Sequence, residues 1–251
     1  MTLEKSIVVL RALRDAEARG LQAGEIVSLT GLHRVTLHRL LRSLDDEGLI
    51  EQDENRRYHL GPELWQLGMA ANRRFDLSSI ADGALERLAA ATGDTFYLLR
   101  RVRDVVLCIG RCDGSYPIKS LVMEVGGSFP LGVGGGGLAV LSALPEEEQR
   151  GILDRVGNRL AGYPQVTIKR IRQLLAEVQR SGYAFWPPLI SEALVVAVPI
   201  LDRDARPLGA LSCAGIRERL GPPRRRQIAE LLQSEADVIY ERLGGARSPR
   251  R

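Results

Sequence analysis

Gly31 to Leu44, GLHRVTLHRLLRSL, joins a turn residue to a short segment with one apolar and one cationic side. Leu37, Leu40, Leu41 and Leu44 recur at i, i+3, i+4 and i+7, the stripe that a helix buries against a small core. Val35, Arg39 and Arg42 fall on the opposite side, with Thr36, His38 and Ser43 beside them and Arg34 at the start. Such side chains donate to phosphate oxygens and base edges, so the face has the chemistry of a helix lying in the major groove of double-stranded DNA. The competing reading is a merely solvated surface, which many helices carry. Segregation of charge favours DNA. Residues 1–75 hold eleven Lys or Arg and eleven Asp or Glu, yet residues 33–42 contain Arg34, Arg39 and Arg42 and no acid, with Asp45, Asp46 and Glu47 directly after. A local patch of this kind implies that affinity depends on a dimer presenting two of them.

Other reactive residue types do not assemble into a catalytic set. All three histidines, His33, His38 and His59, precede residue 60, which leaves the rest of the chain without the commonest general base and metal ligand. Cys108 and Cys112 are four apart on a predicted strand and share a face there, but no further ligands accompany them, and Cys213 lies far along the chain. Apolar packing is the default for all of them. Ser142 and Ser212 lack a recognisable base, and Asp202 and Asp204 sit in a turn as turn formers. The run Gly134–Gly137 is no P-loop, because Leu138 stands where a Lys-Ser or Lys-Thr pair would be needed. Nor does a parallel βαβ unit surround it. Two readings of the run stay open: a tight turn against a sheet, and free amides that face a carboxylate at a helix start. No enzyme activity, metal or cofactor is expected.

Elements must position these residues. A first helix runs from Thr2 to about Glu17, with Leu3, Ile7, Leu10 and Leu13 as its core face. A second, Ala23 to Leu29, turns Ile26 and Leu29 inward and stops at Gly31, which suits a left-handed cap. The cationic helix comes third. Leu49–Gln52 and Arg56–Leu60 read as two strands around the turn DEN, a wing that brings Arg56 and Arg57 to phosphate. Helix, turn, helix and wing make a winged helix-turn-helix over residues 1–61. Gly61-Pro62 opens a linker helix over residues 62–76, with Leu64, Leu67 and Ala71 as its stripe.

Residues 77–243 form the larger domain. The pattern predicts a helix over 77–92, strands at Thr95–Arg101, Val105–Cys112 and Ile118–Glu124, and a helix from about Gly137 to Ala143. Further helices follow, from Pro145 and from Thr167 to Gly182. Strands at Ala193–Leu201 and Leu208–Ile216 and a helix from Pro222 to Leu243 complete it. The fold class is α+β, an antiparallel sheet with helices packed on it. Residues 244–251 read as a disordered tail. With 45% hydrophobic residues, 26% charged and a net charge of +4, the 251 residues have the composition of a globular protein. No apolar run approaches the ~18 residues of a membrane span, no signal peptide is visible, and the three cysteines suit a reducing cytoplasm.

Six segments in this order and spacing resemble the IclR family of transcriptional regulators: GLHRVTLHRLLRSLDDEGLI, RRYHLGPELWQLG, VGGSFPL, the GY pair at 182–183, VVAVPI and GALSCAG. The resemblance covers nearly the whole chain. It implies a larger domain similar to GAF modules, a homodimer or tetramer on a palindromic operator, and a small-molecule effector in the larger domain. Family members often have a Ser-Thr pair where this chain has Val35-Thr36, so one polar contact is replaced by an apolar one. The resemblance places the effector near Leu131, Gly132, Gly134, Gly135, Trp186, Val195, Ser212 and Ala214. Where PLHATALGK is common, this chain reads PLGVGGGGL, and Trp186 replaces a frequent acid, Val195 a cysteine and Ala214 a serine. Small glycines widen a cavity and the other replacements make it less polar. The expected effector is accordingly bulkier and more apolar than a two- or three-carbon acid, with an aromatic or long-chain carboxylate as the leading candidate. The alternative is a DNA-binding protein whose larger domain only assembles subunits.

Overall fold

The computed structural model describes residues 2–73, 77–81, 83–190 and 192–244. It divides into two compact units, residues 1–76 and 77–251.

The first unit opens with α1 (Thr2–Asp15), α2 (Ala23–Thr30) and α3 (Arg34–Asp46), followed by the hairpin β1 (Ile50–Gln52) and β2 (Tyr58–Leu60) and then α4 (Pro62–Arg73). Its core consists of Val9, Leu13, Leu21, Ile26, Ile50 and the four leucines of α3. Gly31, at φ 67°, ends α2 and donates its N–H to the Val27 carbonyl. At the other end Glu25 accepts from the Gln22 N–H at 2.8 Å. Both caps belong to α2 and fix its length ahead of the turn that leads into α3. Two apolar assignments shift. Leu3 and Ile7 are exposed while Val9 and Leu13 are buried, so the core face of α1 is rotated from the expected one. Leu29 is 66% exposed, and α2 instead packs Ile26, with Ala23 and Val27 beside it, against the core. The linker stripe fares similarly: Leu67, like Trp65 and Met69, stands exposed in the single chain.

The second unit is an antiparallel sheet of six strands in the order β5-β4-β3-β8-β7-β6. These are β3 (Thr95–Val102), β4 (Val105–Cys112), β5 (Ser128–Pro130), β6 (Ala184–Trp186), β7 (Leu194–Leu201) and β8 (Pro207–Gly215). Alternation along the strands gives each face its own core. Tyr97, Leu99, Val195 and Ala210 join α7 (Gly134–Ser142), α8 (Glu146–Val156) and α9 (Ile168–Ser181). Phe96, Leu98, Val196 and Leu211 join α6 (Ala84–Thr92) and α10 (Pro222–Arg242) on the other side. Thr167 caps α9, its hydroxyl accepting the Arg170 N–H at 3.1 Å. Asp202 forms the β7–β8 turn by accepting the N–H groups of Asp204 and Arg206, each at 2.9 Å. Asp94, with a side chain 2% exposed, receives Arg219 at 2.9 Å and Arg224 at 2.8 Å, joining the end of α6 to the start of α10.

The expected strand at Ile118–Glu124 does not form. The place beside β4 is taken by β5, because the Gly126 and Gly127 turn pairs with Cys108 and brings Ser128 opposite Leu107. The helix expected over 77–92 is broken into α5 (Leu77–Ile80) and α6, with Gly83 at φ 72° between them. Helix α7 starts at Gly134 rather than Gly137, so the glycine run lies inside it. The short β6 was not foreseen; it buries Trp186. Cys108 and Cys112 do not share a face. A register shift between Leu98 and Leu99 turns Cys108 to the α7 side and Cys112 to the other. Residues 74–76 of the linker and 245–251 of the tail lie outside the described residues.

Candidate nucleic-acid interface and effector cavity

Helix α3 buries Leu37, Leu40, Leu41 and Leu44, and this fixes the orientation of its other face. Arg34, Val35, His38, Arg39, Arg42 and Ser43 are exposed, and Thr36 is half-buried. Val35, at 85% exposure, has no packing role. Among the described residues, Arg34, Arg39 and Arg42 have no ion-pair partner within the chain. Three unneutralised guanidinium groups around an exposed methyl pair suit phosphates flanking a base edge.

The wing divides its arginines. Arg56 is exposed at φ 59°, in the turn between the strands. Arg57 instead points into the unit, donating to the Gly20 carbonyl and the Glu25 carboxylate, each at 3.1 Å. That is a correction to the expectation of phosphate contact. The Glu25 carboxyl is held below the usual range by the Gln22 N–H first and by Arg19 next, so Arg57 is tied to a charged partner. Asp53 supports the same turn, accepting the Arg57 N–H at 2.7 Å, and His59 lies 3.2 Å from its other oxygen.

The second unit contains a cavity of about 120 Å³. Its floor is the sheet: Tyr97 and Leu99 from β3, Val106 from β4, Val195 from β7 and Ser212 from β8, with Trp186 from β6 at one side. Gly134–Gly137 of α7 form a wall, while Leu121, Val122, Met123, Phe129 and Ile190 complete the rim. Five of the expected effector residues converge here: Gly134, Gly135, Trp186, Val195 and Ser212. Leu131, Gly132 and Ala214 do not line it. Leu131 and Ala214 are buried in the neighbouring core. Gly132, at φ 88°, faces Ile171 and Leu141 instead, where a Cβ would come within 3.1 Å of both side chains.

Glycine is required in α7 because the helix lies directly on the sheet. A Cβ on Gly135 would sit 2.6 Å from Val195 Cγ1, and one on Gly136 would overlap Leu99 Cδ1. The tight-approach reading of the run therefore holds, although within a helix and not in a loop before one. Sequence reasoning missed Tyr97, Leu99, Val106 and Phe129 as lining residues. The alternation TFYLLRRV was a usable signal, since it puts Tyr97 and Leu99 on one face.

Among the described residues, no charged side chain lines the cavity. The Tyr97 hydroxyl is pushed up to about 12 by burial. It donates to the Ser120 carbonyl at 2.9 Å and accepts the Val122 N–H at 3.2 Å, so it holds the irregular segment that closes the rim. Among the described residues, no group of three or more His, Cys, Asp or Glu could hold a metal ion. No described helix is long and apolar enough to cross a membrane.

The model of the bacterial transcriptional regulator IclR C-terminal domain matches residues 69–240, and that of the IclR helix-turn-helix domain matches residues 2–54. The chain belongs to the IclR family. IclR-family members are transcriptional regulators, not enzymes. The glycerol operon regulatory protein of Streptomyces coelicolor is 32% identical over 87% of this chain and 86% of its own length. The IclR regulator of Alicyclobacillus acidocaldarius is 28% identical with a TM-score of 0.79, covering 97% of this chain and 98% of that one. An IclR homolog of Microbacterium hydrocarbonoxydans, crystallised with 4-hydroxybenzoate, is 25% identical with a TM-score of 0.77 over 97% and 99% of the two chains. The winged-helix and α+β architecture is thus that of IclR regulators.

Proposed function

We propose that this IclR-family regulator binds a palindromic operator as a homodimer or tetramer in the cytoplasm, and that a small apolar carboxylate in the larger domain controls it. The observation that carries the reading is the exposed face of α3, whose Arg34, Arg39 and Arg42 are unpaired among the described residues while its leucines are spent on the core. Arg56 on the wing adds a phosphate contact; Arg57 does not.

The cavity supports the effector half. At about 120 Å³ it approaches the ~150 Å³ of an engineered apolar cavity that holds a benzene ring. Its apolar walls favour a single-ring effector over a two- or three-carbon acid. The homolog crystallised with 4-hydroxybenzoate supports the aromatic class. Control operates by population shift: the effector favours one arrangement of the paired units, and only one arrangement matches two half-sites. A thermal-shift screen of single-ring carboxylates tests the effector, since a ligand that binds only the folded state raises the melting temperature. Adding each hit to protein bound to DNA from upstream of the neighbouring genes tests the coupling. Hits that melt the protein higher yet leave DNA affinity unchanged refute the control reading.

A further inference from the structure

Val35 is the most exposed large apolar side chain among the described residues, at 85%. The fold gains nothing from it, since a β-branched residue at an exposed helix position forgoes burial and has a lower helix propensity than alanine. Single apolar residues on a surface are common, and here the place on α3 gives the residue its meaning.

Val35 is the second residue of α3. The residues beside it and one turn on, Arg34, His38 and Arg39, are exposed and polar. Val35 is therefore an isolated methyl pair within a cationic face, too small a patch to dock another protein. Residues in the first turn of a recognition helix are those that reach base edges. That turn holds no acid to repel the phosphates on either side of the groove. Every base pair presents hydrogen-bond donors and acceptors in the major groove, and thymine alone adds a methyl group, at C5. An isopropyl group set against a donor or acceptor displaces water and leaves that edge unpaired. Set against the thymine methyl, it buries apolar surface on both sides at no such cost.

We infer that Val35 is a specificity-determining residue: its isopropyl group packs against the C5 methyl of one thymine in each half-site of the operator. The inference rests on the reading that α3 enters the major groove, and it names the base that this helix selects. Burial of one methyl group against another converts to a change of about 3- to 10-fold in affinity per half-site.

Selection of duplexes from a random-sequence pool by the full chain tests it. Each enriched half-site should hold a thymine whose replacement by uracil, which removes the methyl and keeps the base pair, weakens binding about 3- to 10-fold. Val35→Ala should bind the thymine and uracil forms of that duplex within about twofold of each other. Its affinity should fall with salt as steeply as the parent's, because no phosphate contact is lost. Alanine suits an exposed helix position, and the uracil series on the parent reads the contact without any substitution in the protein. Equal binding of thymine and uracil by the parent at every position, or a Val35→Ala protein that keeps the parent's thymine preference, overturns the assignment alone. Failure to enrich any sequence from the pool overturns the DNA reading and the assignment with it.

Discussion

Gly135→Ala places a methyl group between α7 and β7, and the structure decides the sign of its effect. In an uncrowded helix, replacing glycine by alanine stabilises by about 1 kcal/mol through propensity and lost unfolded-state freedom. Here the new Cβ would meet Val195 Cγ1 at 2.6 Å and Val195 Cβ at 3.0 Å. The Cγ1 contact is relieved only by a rotamer change of a β-branched side chain in a strand. The Cβ contact moves only with the backbone of a strand held by β6 and β8. Overpacking of this kind costs about 1–3 kcal/mol, so the net change is a loss of about 0–2 kcal/mol. Displacing Val195 also moves the cavity wall, so benzoate affinity should fall. Urea denaturation of Gly135→Ala, Val195→Ala and the double variant separates the two contributions. The double variant should be more stable than the sum of the single changes implies. A Gly135→Ala protein stabilised by about 1 kcal/mol, with benzoate binding intact, would refute the claim that α7 is in hard contact with the sheet.

Three further outcomes are expected. Tyr97→Phe removes the tie to Ser120 and Val122, so hydrogen exchange at the Val122 amide should quicken, with about 1–2 kcal/mol lost; unchanged exchange would show that the rim is held otherwise. Asp94→Asn leaves Arg219 and Arg224 without their charged partner at the junction of α6 and α10, and unfolding measurements should show a loss of about 3–5 kcal/mol. The Asp104 carboxyl is held below the usual carboxylate range, chiefly by its hydrogen bond from Arg155. Its folded value is depressed, so its stabilisation is present above the ordinary carboxylate pKa and is lost as pH falls through the folded value. The melting temperature of Asp104→Asn should thus fall less steeply on acidification than that of the parent.

The amphipathic helix α3 was legible because one leucine stripe of period 3.6 leaves its charged residues a single place to go. Arg57 was misread because its partners, Gly20 and Glu25, are distant in sequence and carry no local signal. The segment at 118–124 has the composition of a strand, yet the choice between it and Ser128–Pro130 as partner for β4 was made by the glycine turn at 126–127. In the cavity, replacements at Trp186 and Val195 were visible one by one. Trp186 is brought beside Val195 only by β6, a strand of three residues that no periodicity can reveal.

The most direct measurement is operator affinity as a function of salt for the parent and for Arg39→Ala and Arg42→Ala, using DNA from upstream of the neighbouring genes. Each phosphate contact contributes about 0.9 to the slope of log affinity against log salt, so a dimer that loses one arginine per protomer should show a slope shallower by about two. Benzoate titration should be unaffected in both variants. Parental affinity and slope in both variants would contradict the placement of α3 against DNA.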